Sequence, residues 1–475
     1  MHPHDFHRTG AFRWSRAPRP PERVPVVVHA GPRLFDLMEP AVRHQAQRIS
    51  TLPGIVDAVH LLPNASRSQG FPIGCVAAFD AAKGGVRVPA GVGFDPWAGI
   101  RLLSAPMQAS DLAPRLSAFV DALADRLLKG PAGGGAIELG NTAIRDMLAG
   151  GVPWAVEYGW GEPEDLLALE DRGRVEGASS EMLSVDALRR QRAEFGTLGG
   201  GEHGLEVLEV ATVVDADACA QLGLVQGGVL VAIDAGSRGL GSQVVVDALR
   251  GMASGAAAYG LAPTERDLAC APASSEPALR WSVNLAAAGN AALSNRQALT
   301  HLVRQVAARF MPGAPLRVVF DASRDTCRRE ALELEGGSRQ VDVHRRGAVR
   351  LLGPGNPALP RAFADLGQPL LIRGGIGAWP VLAVAAQGCE AVALASGPAG
   401  SGRLIGRQLS WQGDAAVMAD RLRSLGPALR CLHPEALLPE IAEAYRSVDM
   451  VVDAARQDQL LRPVARLRPL ACVHV

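Results

Sequence analysis

Phe195-Gly196-Thr197-Leu198-Gly199-Gly200-Gly201-Glu202-His203-Gly204-Leu205-Glu206-Val207 decides how this chain is read. It is a glycine-rich segment carrying an adjacent carboxylate and imidazole, and it has companions on both sides. Upstream lie Leu52-Pro53-Gly54-Ile55-Val56, Gly70-Phe71-Pro72-Ile73-Gly74, and Gly91-Val92-Gly93-Phe94-Asp95 with Gly99-Ile100-Arg101-Leu102-Leu103. Downstream follow Gly236-Ser237-Arg238-Gly239-Leu240-Gly241, Asn295-Arg296-Gln297 and Val343-His344-Arg345-Arg346-Gly347-Ala348. Gly367-Gln368-Pro369 and Val464-Ala465-Arg466-Leu467-Arg468-Pro469-Leu470 close the series.

Composition frames these segments. At 475 residues and 48% hydrophobic, the chain can bury one large core or two smaller ones. Lys+Arg and Asp+Glu both number 48, so no net field draws it to nucleic acid, and any RNA contact must come from a local patch. Lys83 and Lys129 are the only lysines, a bias that suits bidentate phosphate recognition and equally suits uniform coding preference. The 7 cysteines are odd in number, dispersed and never spaced Cys-x-x-Cys, which argues against structural zinc and a disulfide framework. No signal-like apolar run opens the chain and no stretch approaches membrane-spanning length, so a cytoplasmic, soluble protein is expected, without membrane or DNA partners. His2, His4 and His7 read as an incidental cluster in a tail.

Along the chain, residues 1–25 read as a disordered lead-in, rich in Pro and Arg with little to bury. One domain is expected over 26–475. Val26-Val27-Val28 predicts a strand, and Arg33 to Ile49 a helix broken or restarted at Pro40. Gly70 to Ile100 suits strands joined by tight turns. Leu116, Phe119, Leu123 and Leu127 share one face of a helix over Ala113 to Lys129, capped by Gly130. Strands are predicted at Gly228–Ile233, Leu316–Phe320, Gln368–Ile372 and Glu390–Ala395, each running into a polar or Gly-rich loop. Arg280–Phe310, Ala415–Leu425 and Pro439–Ser447 are predicted helices, and no internal repeat is visible.

From about Leu52 to Val475 the chain resembles the RtcB family of RNA ligases; one such segment is a weak signal, but nine in order are specific. The resemblance implies an α+β fold, a single RtcB-like domain with stacked mixed β-sheets around a polar cleft, wrapped by helices. It also implies joining of an RNA 3′-phosphate or cyclic phosphate to a 5′-hydroxyl with manganese and GTP. A histidine would take GMP, and two manganese ions held by cysteine, aspartate and histidines would neutralise the triphosphate.

Position by position, that chemistry is dismantled. Asp95 and His203 match family metal ligands, but Glu202 stands for an asparagine, Ala98 for the bridging cysteine, Asp234 for a histidine and Arg324 for another. Asn64 and Ser66 replace an aspartate and a histidine, and Ala399, which cannot be guanylylated, replaces the nucleophile. His344 is the remaining histidine in a motif that could substitute. Gly397 to Leu404 looks like a P-loop but lacks its Lys and Ser/Thr.

Glu206, Arg403 and Tyr445 match positions near the nucleotide. Arg238, Asn295, Arg296, Arg345 and Arg346 match positions near phosphates or RNA, with fold support as the alternative role. Trp379-Pro380 and His474-Val475 depart from the guanine-pocket pattern. The expectation is a degenerate family member needing no cofactor, which binds RNA or regulates a partner such as an active RtcB paralogue. The alternatives are an active ligase using Mn and GTP, and a rewired hydrolase or phosphotransferase holding one Mg²⁺ or Mn²⁺ on Asp95, Glu202, His203 and Asp234. Arg324 is expected to replace lost metal charge by pairing with Asp95, Asp234 or Glu202, against the alternative of ordinary drift.

Overall fold

The structure, a computed structural model, describes residues 2–128, 137–261, 266–334, 337–404, 428–432, 437 and 439–475. Its strands, in chain order, are β1 (His7–Gly10), β2 (Arg13–Arg16), β3 (Val26–His29), β4 (Ile55–Ser66), β5 (Ile73–Phe79), β6 (Val86–Arg87), β7 (Gly99–Gln108), β8 (Gly204–Val213) and β9 (Gly228–Ala235). After these come β10 (Ala271–Pro272), β11 (Arg317–Leu334), β12 (Gly337–Arg350), β13 (Pro369–Ile372), β14 (Val381–Ala385), β15 (Ser396–Pro398), β16 (Ala428–Cys431) and β17 (Leu461–His474). Fifteen form one mixed sheet in the order β1-β2-β3-β4-β5-β12-β11-β7-β9-β8-β17-β14-β13, with β15 on β12 and β16 on β17. β6 and β10 pair separately.

Strand β11 makes this sheet into two halves. Its first part, Arg317–Ser323, pairs with β7, and from Arg324 onward it pairs with β12. The change of partner falls where the register shifts between Arg324 and Thr326 and where Asp325 takes φ 60°, a left-handed conformation rare for a non-glycine residue. The bend is held from both sides: Asp325 O accepts from Trp97 N at 3.1 Å, and its carboxylate accepts from Gly347 N at 2.6 Å. Val28, Leu61 and Val76 of one half share a core with Leu370, Ile372 and Ala383 of the other, so the two halves pack against each other.

Helices pack on the sheet. Glu276–Phe310, 35 residues long, is buried on all sides over Leu285–Leu299, as expected of a helix in the middle of a core. It packs Leu299 and Val303 on Leu103, Val207 and Val231. β9 is buried along its whole length, which its apolar run predicts, and its one charged residue is Asp234.

Predicted strands at 228, 316 and 368 are present as β9, β11 and β13, and Pro40 opens a second helix, Pro40–Ile49, after Pro32–Asp36. Leu116–Leu127 is helical behind a 3-10 turn, Ala113–Arg115, while Gly130 and the predicted helix at 415–425 lie outside the described residues. Three expectations need correction. The lead-in is structured: β2 pairs with β3, Trp14 stacks on Phe35 at 4.3 Å, and buried Arg16 pairs with Glu22. Its aromatic residues supply apolar area that the Pro and Arg content hides. Pro439–Ser447 is not an α-helix: it holds 3-10 conformation at 439–440 and the 3-10 turn Ala442–Ala444.

Glu390–Ala395 is not a strand. A 3-10 turn at Cys389–Ala391 leads into Ala393, Leu394 and Ala395 at φ 46°, 53° and 52°, a left-handed turn unfavourable by about 1–2 kcal/mol per residue. Arg345 stabilises it by donating to the carbonyls of Leu394 at 3.1 Å and Ala395 at 3.4 Å, while Leu351 N donates to Ala395 O at 2.8 Å.

Candidate functional site

A cavity of about 1200 Å³ opens at the bend in β11. Its wall takes Asn64 and Ser66 from β4, Glu202 and His203 from the loop before β8, Asp234 from β9 and Arg324 and Asp325 from β11. Arg346 of β12, Arg373 after β13 and the loop Ala399–Arg403 after β15 complete it.

Asp95 is held at a helix end. Its Oδ1 accepts from Arg238 N at 2.8 Å and Ser237 Oγ at 3.2 Å, where the helix Arg238–Gly255 begins, so the carboxylate satisfies an otherwise open N–H and faces the positive end of the helix dipole. Gly236 is required here, because a Cβ would lie 2.4 Å from that oxygen. Asp95 Oδ2 lies 3.2 Å from His203 Nε2, and Arg238 Nη1 lies 3.4 Å from His203 Nδ1. An arginine can only donate, so this arrangement calls for the Nε2–H tautomer of His203. Burial pushes the His203 pKa down against the pull of Asp95 and Asp234, leaving a neutral ring at neutral pH.

Arg324 joins the carboxylates. Nη1 donates to Asp234 Oδ1 at 2.9 Å, Nη2 donates to Glu202 Oε1 at 3.2 Å, and Nε lies 4.0 Å from Asp325 Oδ2. Arg373 takes the other side of Asp234, Nη1 to Oδ2 at 2.8 Å, and its Nε donates to Glu206 Oε2 at 3.0 Å. The result is an alternating chain, Glu202–Arg324–Asp234–Arg373–Glu206. Burial opposes the charge on both arginines, but the carboxylates outweigh it and hold both above the ordinary arginine pKa. Asp325 is raised, because its burial is only partly offset by Arg346, Arg324 and Gly347 N–H.

Of the partners expected for Arg324, Asp234 and Glu202 are present; Asp95 instead pairs with His203 and the helix end. Ala98 presents its carbonyl to Arg324 N at 2.7 Å. Ala399 lies on the cavity wall, its N–H donating to Gly347 O at 3.2 Å. The nucleotide candidates are engaged within the protein: Glu206 with Arg373, and Tyr445 and Arg403 with Glu440, the guanidinium also lying 4.8 Å over the tyrosine ring.

Arg238 and Arg346 line the cavity, Arg346 lying 3.1 Å from Asp325 and 3.4 Å from Ser68. Arg296, Arg345 and Asn295 are corrections, because all three are buried away from the wall. Arg296 donates twice to Asp321, at 2.9 and 2.8 Å, and to the carbonyls of Trp97 and Ala235. Arg345 is bidentate on Glu330. Asn295 clamps the backbone of Gly196 and Thr197, which shapes the loop leading to Glu202. His344 is likewise removed from the cavity: it is fully buried beside Phe79 and Trp281, accepts from Val88 N at 3.1 Å and has its pKa pushed down to about 4 by burial. Sequence reasoning missed Arg373. Its signal is a charged residue ending a predicted strand before Gly374-Gly375.

The donor set does not fit a pair of divalent cations. Both oxygens of Asp234 and one of Glu202 already accept from guanidinium groups, and Asp95 caps a helix. Among the described residues no three His, Cys, Asp or Glu side chains converge as a ligand set, and no helix is long and apolar enough to cross a membrane.

A mixed sheet bent around a polar cavity, carrying these segments in this order, defines a class of protein, and residues 45–475 match the family described as tRNA-splicing ligase RtcB. The chain belongs to that family. It is 36% identical over 456 residues to the tRNA-splicing ligase RtcB of Thermococcus kodakarensis, covering 94% of each chain. Against the RNA-splicing ligase RtcB of Mycobacterium tuberculosis the identity is 38% over 432 residues, 90% of this chain and 99% of that one. The tRNA-splicing ligase RtcB of Archaeoglobus fulgidus is 34% identical over 466 residues, covering 97% and 96%.

Proposed function

We propose that this RtcB-family chain is a cytoplasmic RNA-binding protein that holds RNA ends without joining them, acting alone or beside an active paralogue, with neither GTP nor manganese. The observation that carries the reading is Ala399 on the cavity wall, a methyl group where the resemblance calls for the imidazole that takes GMP. Glu206, Arg403 and Tyr445, engaged with other residues of the chain, support it. Guanidinium groups of Arg238 and Arg346 on the wall suit phosphate oxygens, which arginine grips without a metal. A one-metal hydrolase would need Asp234 and Glu202 released from Arg324. The second reading, an active ligase, is favoured by the names of relatives that match almost the whole chain; it needs a new nucleophile.

The test is incubation with α-labelled GTP, Mn²⁺ and RNA bearing 3′-phosphate and 5′-hydroxyl ends, beside an active family member. The expected result is no labelled protein and no joined RNA, with RNA binding whose logarithm falls against log salt at a slope of about −1.4 for two phosphate contacts. Labelled protein with joined product establishes the ligase reading instead, and salt-independent or absent RNA binding refutes the RNA role.

A further inference from the structure

We infer that His29 and His60 share one extra proton, which closes a buried latch between the N-terminal strands, β4 and the end of the helix Val448–Gln457, and that the latch loosens as pH rises. It lies apart from the cavity and does not depend on RNA binding. Four side chains form a row: His29 Nδ1 meets Asp458 Oδ2, His29 Nε2 lies 2.9 Å from His60 Nδ1, and His60 Nε2 lies 2.7 Å from Asp57 Oδ2. Each contact joins two atoms that would otherwise oppose lone pairs, so each needs a proton, and two neutral rings supply only two. The row therefore holds a third. Charge faces the rings from three elements: Arg13 on β2, Asp57 on β4, and Asp458, which follows the helix and accepts from Arg13 at 2.8 Å on its other oxygen. With the third proton this set of five side chains is neutral; without it, one uncompensated negative charge remains in a buried setting. Burial decides which ring is the imidazolium. His29 is fully enclosed and has its pKa pushed down to about 4, whereas the hydrogen bond from His60 holds Asp57 below the usual carboxylate range. His60 thus donates at both ends, and His29 is the Nδ1–H tautomer that accepts at Nε2. The unfolded rings give up their protons near about pH 6.5, while the folded row needs one to keep its middle bond. The latch is therefore whole from about pH 4, below which His29 takes a second proton, to about 6.5, and weakens above that.

The experiment is heteronuclear NMR of the imidazole nitrogens in the full chain, together with backbone amide exchange corrected for its intrinsic pH dependence. At about pH 6, His60 should carry protons on both nitrogens and His29 on Nδ1 alone. Exchange protection where β2 pairs with β3, at Trp14 and Val28, should fall as the pH is raised to about 8.5. Asp57→Asn keeps an acceptor but removes the charge, and should lower the pH at which His60 loses its proton by about one unit. His60→Gln still donates to Asp57 but cannot titrate, and should make the protection independent of pH. A wild-type His29 protonated at Nε2 instead of Nδ1 overturns the inference. So does wild-type protection that ignores pH, or a His60 midpoint that Asp57→Asn leaves in place. The wild-type spectra and exchange decide the matter where a variant does not fold.

Discussion

Truncating Arg296 separates fold support from RNA contact. The side chain is fully buried and makes three charge-assisted contacts with acidic or hydroxyl oxygens: Asp321 Oδ2 at 2.9 Å, Asp321 Oδ1 at 2.8 Å and Ser323 Oγ at 2.8 Å. Two further bonds, both 2.9 Å, satisfy the carbonyls of Trp97 and Ala235. In Arg296→Ala, Asp321 keeps only Arg101 Nε at 2.9 Å, and one of its oxygens is left buried without a partner. Breaking a buried pair from one side costs about 3–5 kcal/mol. Asp321 lies in the part of β11 that pairs with β7, so the loss is expected across the whole cooperative unfolding transition. Urea unfolding monitored by tryptophan fluorescence measures it as a lower midpoint at unchanged slope. An Arg296→Ala chain within about 0.5 kcal/mol of wild type, the range of ordinary surface substitutions, but with weakened RNA binding, refutes the assignment to the fold.

Stability should depend on pH through two buried rings, His29 and His344, whose pKa values burial pushes to about 4. The unfolded chain takes up their protons below about pH 6.5, so stability is full above that pH and falls by about 3 kcal/mol per ring as pH drops toward 4; His344→Gln should flatten its share of the slope in melts across that range. Arg345→Met should expose the Leu351 amide to hydrogen exchange, since the left-handed turn that accepts its proton loses its support; unchanged protection counts against that role. Trp14→Ala should cost about 2 kcal/mol in the same urea assay if the N-terminal hairpin is part of the sheet, and nothing measurable if it is a disordered lead-in. Asp95→Ala should cost about 1 kcal/mol as a lost helix cap, while Asp95→Asn, which keeps an acceptor, should cost less; equal losses remove the capping role.

The parts of this fold that were legible are those in which local pattern and tertiary setting agree. β9 is an apolar run buried on both faces, and Pro40 restarts a helix wherever it stands. Glu390–Ala395 misleads because apolar content says nothing about the sign of φ; the turn's carbonyls are held by donors distant in sequence, Arg345 some 50 residues earlier and Leu351 N, together with Ser396 Oγ. Arginines mislead for a related reason. A basic residue in a motif is equally consistent with a phosphate and with a buried carboxylate, and Arg296 meets Asp321 25 residues on, in a strand that only folding brings alongside. Arg373 carries a signal in its place at a strand end, but its partners Asp234 and Glu206 lie 139 and 167 residues away and only folding brings them together.

In the proposed reading, the residues at the cavity are sorted by what each does besides chemistry. Asp95 matches a metal ligand in the resemblance, and here its oxygens also hold Ser237, Arg238 and His203 at the start of a helix, which is a structural role of its own. Ala98 and Ala399 contribute through the backbone alone: the carbonyl of one accepts from Arg324 N, and the N–H of the other donates to Gly347 O. A side chain at either position is free to shrink to a methyl group while that hydrogen bond survives. Asp234 and Arg324 support each other, since a carboxylate buried in β9 needs a cation beside it, and Arg324 and Arg373 share that role while Glu202 and Asp234 share the guanidinium of Arg324. Removing either one alone therefore takes one ion pair from its partner and leaves another: Asp234 keeps Arg373, and Arg324 keeps Glu202.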